Sequence, residues 1–262
     1  MFHNLARLLR YRGLIQSLVA RELKARYRGS VLGFFWSFIN PLLLLTVYTH
    51  VFKYVMPGIH TDVEPYAVFM FCGILPWTWF ASSLSESSGV LISGGNLIKK
   101  VLFPAEILPL VTVLANMIHF FFGLTILAAF LAYYRLPPTL TLAWLPIVVL
   151  VQFVMTAAFA LILSALTVHF RDIRDILSNV LTFWFFATPI IYPWFQAPLL
   201  AKRFLNLNPF THLAVSYQEI LFFRGDFGHL PWLLLLGAIS IVFFLFGYFV
   251  FDRLRDTFAE EV

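Results

Sequence analysis

The side chains able to do chemistry in this sequence are few, and their types favour binding over bond-making. Four cations fall within the eight residues RELKARYR: Arg21, Lys24, Arg26 and Arg28. A basic block running straight into a long apolar helix fixes the orientation of a membrane protein, because Lys and Arg resist translocation. Asp172 and Asp175 form a close carboxylate pair in HFRDIRD, where Arg171 and Asp175 stand four apart and can pair with each other on a helix. His50 and His119 are ionisable groups inside apolar stretches; His119, beside Phe120–Phe122, reads more readily as a packing residue than as a proton relay. No residue is assigned as catalytic and none as metal-binding.

Absences narrow the classes further. No Gly-Lys dipeptide occurs, which excludes a phosphate-cradling loop of the GxxxxGK[ST] kind. Neither HExxH nor a paired Cys-x-x-Cys is present, and the single cysteine, Cys72, lies in an apolar run and reads as packing. All thirteen carboxylates fall outside the apolar segments, so an ion-coupled carrier would lack its usual midplane acid. If this chain moves anything uphill, another subunit supplies the energy.

The elements that position these residues belong in a membrane. Of 262 residues, 61% are hydrophobic and 12% charged, with a mean hydropathy of +0.86. Soluble domains run at about 45–50% and about 25%. The predicted fold class is therefore an all-α polytopic membrane protein, a single domain over residues 1–262. Six segments are apolar enough to cross the hydrocarbon layer: Val31–Met56, Pro65–Ser85, Ile107–Tyr134, Leu140–Val168, Ile176–Pro193 and Pro231–Phe251. With both termini in the cytoplasm, thirteen cations lie inside and five outside, as expected when Lys and Arg resist translocation. The net charge of +5 thus sits beside the spans and is no nucleic-acid signature. Residues 1–30 form an N-terminal interfacial segment. Phe2, Leu5, Leu8 and Leu9 recur there at helical spacing, as in a helix lying among headgroups or packed on a partner.

Two connections carry structure of their own. In the cytoplasmic one, Glu86–Glu106, the pattern predicts a short apolar helix, a break at Gly94-Gly95 and a second helix with Asn96 as its N-cap. Such a helix along the membrane face could receive force from a bound ATPase, or Lys99 and Lys100 could be ordinary anchors. In the external one, Trp194–Leu230, Asn208-Pro209 reads as N-cap then first helical residue, opening a helix that ends near Arg224-Gly225. It is too short to cross, so it forms either a re-entrant pair or an amphipathic pair on the surface.

Aromatic residues are dense in the first and fifth segments. Trp36, Tyr48 and Phe52 lie along the first. Trp184, Thr188, Tyr192 and Phe195 share a face if the fifth stays helical, with Trp194 beside them. Tyr and Trp present a flat apolar plane with a polar edge, suited to sugar rings sliding past, and equally to interface belts and core packing. Gly29-x-x-x-Gly33 could allow close helix approach.

At RELKARYRGSVLGFFWSFINPLL (Arg21–Leu43), NLIKKVLFPAEILPL (Asn96–Leu110) and HFRDIRDIL (His169–Leu177), the sequence resembles the membrane subunit of type-2 ABC exporters of polysaccharides and polyol phosphates. Asn208–Phe210 is similar to the family's segment before the last span. The resemblance implies a permease subunit of the bacterial cytoplasmic membrane, paired as a homodimer over two separate ATPase subunits. Those subunits would bind ATP and Mg²⁺; this chain itself would hold no cofactor. It implies a coupling helix with Glu86, Asn96, Lys99 and Lys100, and a lipid-phosphate entry at Arg26 and Arg28, which could equally do no more than bind membrane headgroups. It also implies a channel lined by the first and fifth spans, with external re-entrant helices, and a lipid-linked glycan as substrate, such as O-antigen, teichoic acid or capsule. A small lipid or drug exporter on the same scaffold is the alternative. A channel would need a charged or carbonyl ring, and none is visible; a membrane transferase would need carboxylates or histidines clustered at one membrane face, where Asp172 and Asp175 are the one close pair and Asp175 can pair with Arg171.

Overall fold

The structure is a computed structural model that describes residues 11–55, 63–99 and 103–261. Among these residues every regular element is helical. The helix drawn over Phe2–Leu9, and Lys100, lie outside the described residues.

Helix α1 (Arg12–Arg26) carries apolar side chains at Leu14, Ile15, Leu18 and Val19, a helical stripe. That stripe packs on Ile107 and Val111, while Arg21 and Lys24 stay exposed. The chain then turns through Gly29 (φ +81°) and Gly33 (φ +50°), conformations that a Cβ would strain. Among the described residues nothing lies within 4 Å of a Cβ at either position, so within this chain these glycines serve the turn. A 3-10 turn (Gly33–Phe35) leads into α2 (Trp36–His50), which a π turn (Val51–Val55) prolongs.

Helix α3 (Tyr66–Ser93) is the centre of the molecule, buried over most of its 28 residues. It carries Pro76, whose carbonyl accepts from Gln152 Nε2 at 2.8 Å. It also runs through the polar stretch Glu86–Ser93, so the separate apolar helix expected there does not exist. Gly94 ends α3, where a Cβ would stand 2.7 Å from Leu108 Cδ1 and 2.9 Å from the Val90 carbonyl. Helix α4 is only Gly95–Ile98, with Gly94 in the N-cap position and no side-chain cap. Asn96 therefore lies inside the turn and is not its cap.

Helices α5 (Ile107–Tyr133) and α6 (Leu145–His169, with a 3-10 turn over Leu140–Trp144 before it) pack on α3. Helix α7 (Ile173–Phe186) stops seven residues short of the expected Pro193. Pro189 cannot continue a helix and keeps Thr188 from helical geometry. The face shared by Trp184, Thr188, Tyr192 and Phe195 is thereby broken. A 3-10 turn (Trp194–Gln196) and α8 (Leu199–Leu205) lead to α9 (Pro209–Leu221). There Asn208 caps as expected, its Oδ1 accepting from Phe210 N at 3.0 Å. Helix α9 is buried on nearly every side, against α3, α6 and α10 (Leu230–Leu254). Helix α10 pairs extensively with α6, and a 3-10 turn (Arg255–Thr257) leads to α11 (Phe258–Glu261).

Among the described residues four helices are long and apolar enough to cross a membrane: Tyr66–Ser93, Ile107–Tyr133, Leu140–His169 and Leu230–Leu254. Helices α2 and α7 have 15 and 14 residues, below the roughly 20 that a perpendicular crossing takes.

Candidate functional site

Two small hydrogen-bond triangles join the end of α1 to the bundle. Arg26 donates from Nη2 to Glu86 Oε2 at 2.7 Å and from Nη1 to Asn116 Oδ1 at 2.9 Å. Asn116 Nδ2 in turn donates to the same Glu86 oxygen at 2.7 Å. The next residue, Tyr27, places its hydroxyl 2.7 Å from Ser37 Oγ and 3.2 Å from His119 Nδ1, which is also 3.2 Å from Ser37 Oγ. Asn116 and His119 are three apart on α5 and so share a face. The Arg26–Glu86 pair is partly wet, its side chains 26% and 40% exposed, so it fixes geometry more than it stabilises; such pairs contribute about 0.2–1 kcal/mol.

Beside these triangles lie two cavities. One, of about 570 Å³, is bordered by Arg26, Trp36, Asn40, Asn116 and His119. The other, of about 620 Å³, is bordered by Tyr48, Trp77, Glu86, Ser178, Thr182 and Phe185. Leu44, Thr78 and Ser82 border both, so α2 lies across a furrow that runs along α3. Thr78, Ser82 and Ser85 recur at i, i+4 and i+7, a hydroxyl stripe on an otherwise apolar helix. Aromatic planes facing hydroxyls give many weak contacts for a polyhydroxylated chain and no single tight one.

Residues 13–222 match the family of ABC-2 type transporters. The chain belongs to that family. It is 40% identical over 264 residues to the O-antigen export system permease protein RfbA of Myxococcus xanthus, with 100% of both chains covered. It is 32% identical to the protein of the same name from Klebsiella pneumoniae, covering 94% of each chain. It is 22% identical to the polysialic acid transport protein KpsM of Escherichia coli, covering 78% of this chain and 80% of that one.

In this ABC-2 transporter chain the sequence-derived candidates separate. Trp36 borders the first cavity, its indole donating to Ser30 Oγ at 3.0 Å, and Tyr48 borders the second. Trp184 turns into the core against Trp77, Phe80 and Phe159, away from both cavity walls. Trp194 sits edge-on to His229, and Tyr192 is half-buried on neither wall. The Phe52 side chain lies outside what is described. Arg28 is exposed, whereas both terminal nitrogens of Arg26 are engaged. Glu86 stands on α3 facing Arg26, not on α4 with Asn96 and Lys99, which are exposed. Sequence reasoning missed Asn116, the partner of both Arg26 and Glu86, although a polar residue three before His119 in an apolar helix was a readable signal. It also missed the Thr78–Ser82–Ser85 stripe.

A second polar cluster joins α9 to the start of α10. The Asn206 carbonyl lies 3.0 Å from His212 Nε2, which must therefore carry the proton. His212 Nδ1 is then the acceptor for His229 Nε2–H at 3.1 Å. His229 Nδ1 faces Glu219 Oε1 at 3.8 Å, while Glu219 Oε2 accepts from the His229 backbone N–H at 2.9 Å. Burial, then the neighbouring His212, holds His229 down to about 4. Burial also lowers His212, against the raising effect of the Asn206 carbonyl. Burial raises the Glu219 carboxyl, opposed by the backbone N–H groups of His229 and Gly228. Among the described residues no group of three His, Cys, Asp or Glu could hold a metal.

Proposed function

We propose that this chain is the channel-forming permease subunit of an ATP-driven exporter that moves a lipid-linked polysaccharide across the bacterial cytoplasmic membrane. One observation carries the reading: 40% identity over the whole of both chains to an O-antigen export permease. The furrow between α2, α3 and α7, walled by aromatic planes and hydroxyls, suits a glycan better than it suits a compact apolar drug.

In this reading two copies pair and two separate ATPase subunits bind ATP and Mg²⁺ beneath them. Helices α2 and α7 complete six spans with both termini inside; their shortness is made up by the flanking turns and by local thinning of the bilayer. Buried α9 and short α8 form the external re-entrant pair. The α3–α4 corner, with Asn96 and Lys99, meets the ATPase, and Lys100, next in the sequence, adds to its positive charge. A lipid-linked glycan approaches at Arg28, its phosphate drawn by the guanidinium, and ATP-driven closure of the partner subunits parts the two halves.

The test is ATP hydrolysis by the purified chain, alone and co-expressed with a candidate ATP-binding-cassette partner subunit, in lipid with and without lipid-linked glycan. Hydrolysis only in the complex, altered by glycan and uncoupled by disrupting residues Asn96–Lys100, is the expected result. A chain that binds no ATPase overturns the reading.

A further inference from the structure

We infer that Glu86 is a built-in competitor for the phosphate of the substrate lipid, and that phosphate and Glu86 exchange on Arg26. This rests on the exporter reading above and adds to it a carboxylate whose displacement reports that the substrate lipid has arrived.

The geometry supplies each part. Arg26 presents two N–H groups side by side, a fork that fits carboxylate and phosphate alike. Both are now taken, one by Glu86 Oε2 and one by Asn116 Oδ1. The pair is reachable from two sides. Arg26 borders the cavity of about 570 Å³, Glu86 borders that of about 620 Å³, and both border a third of about 390 Å³ between α1 and α3. A phosphate arriving in the first cavity meets a cation already neutralised, and it gains the paired terminal fork of Arg26 only by taking the place of Glu86. A phosphate monoester brings more acceptor oxygens and more negative charge than the carboxylate it replaces, and a phosphodiester headgroup matches the carboxylate in both.

The exchange is lopsided in its consequences. Glu86 keeps its bond from Asn116 Nδ2 at 2.7 Å, so α3 stays tied to α5. What is lost is the bond from α1 to α3. Tyr27 still holds the end of α1 to Ser37 and His119, so α1 is freed from α3 without leaving the bundle. Glu86 stands eight residues before Gly94, where α3 ends and α4 begins, about 12 Å along the helix axis. The contact that phosphate breaks is therefore one made by the helix that carries the proposed ATPase-facing corner. Glu22, one turn before Arg26 and bordering the same third cavity, keeps that space from becoming purely cationic.

The ligand chemistry is a phosphate borne by a lipid, either the glycan's carrier or a bulk headgroup. The experiment uses the permease–ATPase complex in phosphatidylcholine vesicles containing either polyprenyl phosphate or phosphatidylglycerol, reading lipid binding and ATP hydrolysis together. Glu86→Gln keeps the shape and removes the charge, so affinity for polyprenyl phosphate is expected to rise about fivefold, the scale of one partly exposed ion pair. Arg26→Gln is expected to abolish the lipid's effect on hydrolysis. Asn116→Ala frees one Arg26 N–H and loosens Glu86 without altering a charge, so its affinity is expected to rise by less than that of Glu86→Gln. An unchanged affinity in Glu86→Gln overturns the exchange, as does an equal response in all three variants, which would mark simple loosening. An equal response to phosphatidylglycerol supports the exchange and assigns it to bulk headgroups. A complex that exports glycan while Glu86→Gln binds like wild type retains the exporter and loses the exchange. A chain that forms no complex with any ATPase removes the exporter reading, and the binding arm on the chain alone still decides the exchange.

Discussion

The indole of Trp184 donates to Asn208 Oδ1 at 2.7 Å, joining the last turn of α7 to the first residue before α9. Asn208 is saturated: the same oxygen accepts from Phe210 N at 3.0 Å, and Nδ2 donates to the Ala187 carbonyl at 3.0 Å and to Thr188 Oγ1 at 2.9 Å. One amide thus caps α9 and closes the C-terminal end of α7, where Pro189 forbids further helix. Asn208→Ala should cost about 2 kcal/mol or more, a lost cap plus unpaired half-buried partners. A fall in thermal midpoint in detergent checks this. Asn208→Asp should be no rescue, because a carboxylate would face the Ala187 carbonyl.

Where α10 crosses α6, a Cβ on Gly247 would stand 3.0 Å from the Ala158 carbonyl and 3.2 Å from Ile162 Cγ1. Backbone cannot yield as a flexible side-chain end can. Gly247→Ala should push the two helices apart and cost about 1–3 kcal/mol through overpacking. The companion substitution Gly237→Ala meets only Val151 Cγ2 at 3.1 Å and should cost less. Comparing the two midpoints in one detergent separates backbone contact from a tight side chain.

How much of this was legible in the sequence depended on how local the cause was. Asn208-Pro209 was readable because a cap and its helix are chain neighbours. Asn96 misled: it has cap chemistry, but Gly94 takes the turn because Leu108 and the Val90 carbonyl leave no room for a side chain there. The polar run Glu86–Ser88 interrupts hydropathy without interrupting helix, so α3 is longer than its apolar segment. Trp184 was placed on a face that ceases to exist at Pro189. Arg26 looked like a free cation because its partners lie 60 and 90 residues away, and no local pattern reveals a pairing at that range.

The His212–His229 pair makes stability depend on pH. Both histidines are held below their ordinary value, His229 to about 4, so an unfolded chain binds more protons than the folded one between that value and about 6.5. Their contribution is present above about 6.5 and is lost as pH falls toward 4. Glu219, raised by burial, works in the opposite sense, since its contribution is lost as pH rises through its folded value. The shift of His229 is the large one of the three, so the net effect is a loss on acidification. Thermal midpoints measured from neutral pH downward should fall, and His229→Gln should flatten the slope. A slope unchanged in that variant would assign the acid sensitivity elsewhere.

Ser82 borders both cavities beneath α2, one turn from Thr78 on the stripe of α3 that lines the furrow. Filling the furrow there should obstruct a glycan without touching the α3–α4 corner. Ser82→Trp should therefore lower glycan export about tenfold or more, a barrier of about 1.4 kcal/mol, while ATP hydrolysis by the complex continues. Ser82→Ala, which removes only a hydroxyl among several, should export nearly as well as wild type. The two readings separate cleanly. Export and hydrolysis falling together would mean that Ser82→Trp had disturbed the helix bundle, and export unaffected by the indole would place the glycan's route away from the furrow under α2.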